Sequence, residues 1–149
     1  METSERSDSF HILGALTGVI VGLLMVGAVS HLPIRHLIQV TPAAIAAMFV
    51  ARGGRASRYA ALPIFVLWLL IMVAIWLFLL GLARVVTGHF TTAETVLTIV
   101  IGLSSLWGMV AVLRRPRARP LPAILFFILF AALQWAGLWL SMRPAFARR

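Results

Sequence analysis

Acid–base, nucleophilic or metal chemistry in this chain has to be built from four carboxylates, four histidines and two side-chain amides, because cysteine and lysine are absent. Three of the carboxylates, Glu2, Glu5 and Asp8, crowd the N-terminus, so Glu94 is the only acid in the rest of the sequence. Paired carboxylates for general acid–base catalysis are therefore not available from this chain. A carboxylate within a membrane span is by default a functional suspect. Glu94, however, follows Thr91-Thr92-Ala93 at the head of an apolar run, the arrangement of a capping box. Thr91 then holds a first-turn N–H, Glu94 reaches back, and the carboxylate complements the positive end of the helix.

The histidines are His11, His31, His36 and His89. If the chain crosses a membrane five times, His31, His36 and His89 fall on one outer side, where neutral imidazoles can bind haem or a metal. All four lie near predicted helix ends, where snorkelling to the interface is the alternative. The stretch His31 to Leu37 resembles the Arg-His-Leu segment of succinate dehydrogenase membrane anchors. It does so over those few residues only, and the anchors' other characteristic residues are missing, so no family follows from it. Gln134 falls well inside the last apolar run, where an amide usually hydrogen-bonds to a neighbouring helix. Without a nucleophile, a paired base or a phosphate-cradling loop, the sequence predicts no enzyme and requires no cofactor.

The elements that hold these residues are set by hydropathy. Of 149 residues, 62% are hydrophobic and 11% charged, and the mean hydropathy is +1.02. A water-soluble fold of this size cannot hide so much apolar surface, so the expected class is an all-α integral membrane protein, one helical bundle without a separate soluble domain. After a polar tail over residues 1–9, long apolar runs predict spans over about 10–30, 59–83, 93–113 and 121–142. The first run is long for a signal peptide, and the charged residues before it are acidic rather than basic. Between the first two runs, residues 33–51 predict a fifth span kinked at Pro42 if counted from Pro33, with Arg35 and His36 snorkelling at its end. Counted from Leu37, the same stretch is short and fits a re-entrant or interfacial segment.

The net charge of +9 comes entirely from arginine. Arg52, Arg55 and Arg58 precede one secure span, and Arg114, Arg115, Arg117 and Arg119 precede the last. Both clusters therefore lie on one side, which the positive-inside rule makes cytoplasmic. The expected location is the cytoplasmic membrane of a bacterium, and binding of lipid headgroups is a second use for these arginines. Aromatics sit inside the apolar runs rather than among the basic residues, which argues against a nucleic-acid surface.

Small residues four apart supply the remaining pattern. Gly14, Gly18 and Gly22 line one face of the first helix, and the spacing recurs more weakly at Ser104 with Gly108 and at Ala132 with Ala136. The first, fourth and last spans should accordingly make the close contacts, and the bulky span after Tyr59 should see more lipid. The glycine face either packs within the chain or docks a partner or a second copy. On this pattern the expected role is an accessory or assembly subunit of a larger membrane complex, or of a homo-oligomer. The alternative is a small oligomeric transporter or channel with a path around Gln134, Ser104, Ser105 and Thr98.

Overall fold

The computed structural model describes residues 2–84, 86, 88–114 and 118–147, and the side chains of all of these except 2–8, 145 and 147. Its order is α1 (Glu2–Val29), α2 (Pro33–Ala51), a 3-10 turn (Ser57–Ala60), α3 (Leu62–Leu79), α4 (Thr92–Leu113), α5 (Pro120–Ser141) and a single turn α6 (Pro144–Ala147). Among the described residues every element is helical, and five helical stretches are long and apolar enough to cross a membrane. Residues 33–51 form one of them, with Pro42 inside it, so the full-length reading of this stretch holds. The first helix begins at Glu2 and takes in the polar tail, earlier than the apolar run predicts.

Local signals explain where each helix stops. At the end of α1, His31 adopts φ 57° while Leu32 N–H donates to Gly27 O at 2.9 Å and His31 N–H to Ala28 O at 3.3 Å. This is a Schellman turn, with a histidine in the left-handed site where glycine is usual. Pro33 then opens α2 at a position where no N–H is needed. The end of α3 repeats the device with Gly81 at φ 73°, Leu82 N–H donating to Leu77 O and Gly81 N–H to Phe78 O, both at 2.9 Å. Hydropathy carries the span to residue 83, but the left-handed glycine ends the helix at Leu79. At α4 the Thr91–Glu94 capping box forms as expected, with the Glu94 carboxylate accepting from Thr91 N–H at 2.8 Å and Thr91 Oγ1 accepting from Glu94 N–H at 3.2 Å.

The helices form a ring in which α4 lies between α1 and α3, α2 lies between α1 and α5, and a thin α3–α5 contact closes the circuit. Neighbours in sequence run antiparallel. Gly14, Gly18 and Gly22 of α1 meet Trp107, Ser104 and Ile101 of α4, while Gly102 and Gly108 on another face of α4 meet Trp76 and Phe65 of α3. The interior holds Leu16, Val19, Leu23, Ile64, Phe65, Ile101 and Phe130, each at most 2% exposed.

This packing reverses one expectation. Only 17% of α5's apolar stretch is buried, against 33% for α3, so α5 and not the bulky α3 is the peripheral helix. The reason is that α3 offers large side chains to the glycines of α4, whereas Ala132 and Ala136 of α5 stay exposed. A β-carbon at Gly18 would fall on the Ser104 hydroxyl. Gly18→Leu should therefore lower stability by about 1–3 kcal/mol through overpacking. In a thermal melt of the purified protein in detergent, G18L should show a reduced Tm and A132L an unchanged one.

Candidate functional site

The polar side chains separate into groups that the fold uses and groups that it leaves unpaired. In the α2–α5 contact, Gln39 Nε2 donates to Ser141 Oγ at 3.0 Å, and Ser141 Oγ donates to Leu138 O at 2.7 Å. Pro42 has no N–H, which frees the carbonyl of Ile38 in the turn before it. Against that carbonyl lies Gly137 of α5, whose β-carbon position is 3.4 Å from both Ile38 O and Pro42 Cγ. Non-helical backbone chemistry is thus enclosed in protein rather than presented to an apolar surrounding. Gly137 was not singled out from sequence, although Ser141 four residues on gives it the small-residue spacing noted for Ser104 with Gly108.

Gln134 is different. It is 1% exposed, and neither its Nε2 nor its Oε1 has a hydrogen-bond partner. Ser105 Oγ on α4 and Trp68 Nε1 on α3 are buried and unpaired as well. The other groups of the expected polar path are occupied elsewhere. Thr98 Oγ1 accepts from Trp76 Nε1 at 2.9 Å and donates to Thr95 O at 2.7 Å, while Ser104 abuts Gly18. Thr98, Ser105 and Gln134 all point into the protein, so they do not line a shared outer surface.

The histidines are not brought together as a ligand set. His31 is the left-handed residue of the turn after α1. His36, expected to snorkel, is instead 8% exposed: it packs over Gly27, and its Nδ1–H donates to Leu32 O at 3.0 Å. The absence of a β-carbon at Gly27 is what lets the α1–α2 hairpin close on this ring. His89 is exposed in the loop before α4, and His11 stands edge-on to Trp107 at 5.7 Å near the other end of the bundle. Among the described residues no three of His, Asp and Glu gather to hold a metal.

The arginine clusters share one end of the ring, as the span count requires. Arg52, Arg55, Arg114 and Arg119 are exposed there, and Arg58 lies 5.3 Å from the centre of the Tyr59 ring. Arg115 and Arg117 lie outside the described residues, as do Arg148 and Arg149 of the basic tail. At the opposite end Arg143 stacks its guanidinium 3.6 Å over the Trp139 ring, a cation–π contact between the turn after α5 and the last turn of that helix.

Apolar side chains are exposed on every long helix, and most continuously on one face of α5, the least buried of them. Leu121, Leu125, Ile128, Trp135 and Trp139 are each more than half exposed, with Ala132 and Ala136 exposed among them. The glycine face of α1, in contrast, is covered by the chain's own α4. Comparison with known proteins returns no matching family model, curated relative or solved structure.

Two substitutions separate structural from functional roles here. His31→Gly should hold or raise the Tm, by up to about 1 kcal/mol of stability, because glycine takes the left-handed conformation without a side-chain penalty. Gln134→Leu should stabilise the fold by about 1–3 kcal/mol if the amide stays dry and unpaired. A loss of stability on Gln134→Leu would mean instead that the amide holds a partner such as a bound water.

Proposed function

We propose that this chain is a multi-pass protein of the bacterial cytoplasmic membrane, acting as an accessory or assembly subunit of a larger membrane complex or of a homo-oligomer. The five apolar helices support the membrane reading, and the position of Arg52, Arg55, Arg58, Arg114 and Arg119 at one end supports a cytoplasmic assignment for that end. An odd number of spans then puts the N-terminus inside and Arg143 outside. The stacking of Arg143 on Trp139 suits an interfacial anchor there.

The observation that carries the role is the open face of α5. Lipid is as apolar as leucine, so helices associate in bilayers mainly where small residues let backbones come close. Ala132 and Ala136 are the small-residue pair that the chain does not use on itself, and they lie on its least buried helix. The docking element is therefore α5, in place of the glycine-lined first helix that the sequence favours. Trp135 and Trp139 beside the pair give large, rigid contact area for a partner helix.

Transport is the second reading, and its support is the unpaired amide of Gln134 within the last span. The two readings part experimentally. The double substitution Ala132→Leu and Ala136→Leu should abolish co-purification of a partner, or the oligomer band, from native membranes in mild detergent while the chain still inserts. Unchanged association would end the α5 proposal. If instead Gln134→Leu alters a solute or ion flux in reconstituted vesicles with association intact, the transport reading takes its place.

A further inference from the structure

Gln134 sits on the inward face of α5, on the side that also buries Phe130 and Ser141, and neither polar atom of its amide has a hydrogen-bond partner. Contacts on either side of it settle what it faces on α2. Towards the arginine-rich end Phe130 packs against Phe49, and towards the other end Gly137 meets Pro42. The stretch of α2 between those contacts is Ala43-Ala44-Ile45-Ala46-Ala47-Met48, with Ala43 and Ala46 fully buried. No side chain there pairs with an amide, and the backbone groups of this stretch are spent on the helix itself.

The other helices supply nothing in its place. Ser105 Oγ and Trp68 Nε1 are themselves unpaired, and Thr98 is taken up by Trp76 and by Thr95 O. Elsewhere buried polar groups are joined directly, Gln39 to Ser141 and Trp76 to Thr98. An amide enclosed among alanines loses the hydration of a donor and of an acceptor together, a cost that no contact within the chain offsets.

A partner from outside the chain would need three properties. It accepts from Nε2 and donates to Oε1, because a glutamine amide carries both functions. It is neutral, because among the described residues no buried side chain is an arginine or a carboxylate. It is small, because Gln134 is only 1% exposed. Water has all three, and a buried water ordinarily makes about three hydrogen bonds to polar groups that the protein leaves unsatisfied. We propose that Gln134 is a binding site for an enclosed water held inside the ring, opposite the alanine stretch of α2.

This site rests on the packing of the ring and not on what docks to α5 or on any flux. Gln39 and Gln134 are the only glutamines, so isotopic labelling of glutamine nitrogen yields two side-chain amide groups in a magnetic resonance spectrum. Loss of one of them in Gln39→Leu or in Gln134→Leu assigns both. In the full chain in deuterated detergent, the Gln134 amide protons should receive magnetisation from water, with opposite signs in laboratory-frame and rotating-frame cross-relaxation, the mark of a water held in place. No transfer would overturn the proposal and leave the amide dry. Transfer of the same sign in both frames is proton exchange with bulk solvent, and it would overturn an enclosed water in favour of an open passage, the geometry that the transport reading needs. Gln134→Leu should also lower the Tm, because leucine fills less volume than the amide and its water together. A raised Tm would overturn the proposal as well.

Discussion

Close approach of α1 and α3 to α4 is the contact on which the rest of the arrangement depends. In an apolar surrounding a helix gains little by burying leucines against other leucines, so backbone proximity and dense packing have to hold it. Gly14, Gly18 and Gly22 let α4 press Trp107, Ser104 and Ile101 into α1, and Gly102 and Gly108 admit Trp76 and Phe65 of α3. With α4 fixed between two neighbours, α2 follows α1 through the tight turn at His31, where Gly27 takes the His36 ring. The helix left over is α5, which completes the ring through Gly137 against Pro42, through Phe49 against Phe126 and Phe130, and through the Gln39–Ser141 hydrogen bond.

Backbone satisfaction imposes the second constraint. Carbonyls and amides at helix ends, or beside a proline, cost several kcal/mol each when left in an apolar medium. Two Schellman turns and one capping box close helix ends here with local chemistry, and the proline in α2 turns its freed carbonyl toward another helix. Several residues that resemble functional groups in the sequence are spent on this work. Glu94 caps, and His31 turns the chain. Gln134 is not among them: like Ser105 and Trp68, it is enclosed without a hydrogen-bond partner.

These constraints also locate where the protein can act on something else. The inward-facing small residues are consumed by the fold and the described reactive side chains are dispersed, so the small-residue pair left on the outside is the Ala132–Ala136 pair of α5, the face proposed to dock a partner.

The sequence by itself determined the all-helical class, four of the five long apolar helices, the capping box at Thr91 and Glu94 and the common end of the two arginine clusters, because hydropathy, cap chemistry and span parity act locally or simply add along the chain. It also marked the start of α2 at Pro33, while leaving its status as a full-length helix open. Gly81 and His31 ended their helices by backbone conformations that hydropathy does not register. Only the tertiary structure decided which small-residue faces meet each other, since Gly14-Gly18-Gly22 and Ala132-Ala136 carry the same spacing and differ in having a partner within the chain. It also decided that His36 is buried while His31 and His89 are not, and that Arg55 and Arg119 share a cleft although 64 positions separate them in the numbering. Such pairings depend on the order of helices around the ring, and that order is fixed by contacts between distant residues rather than by any one segment's own pattern.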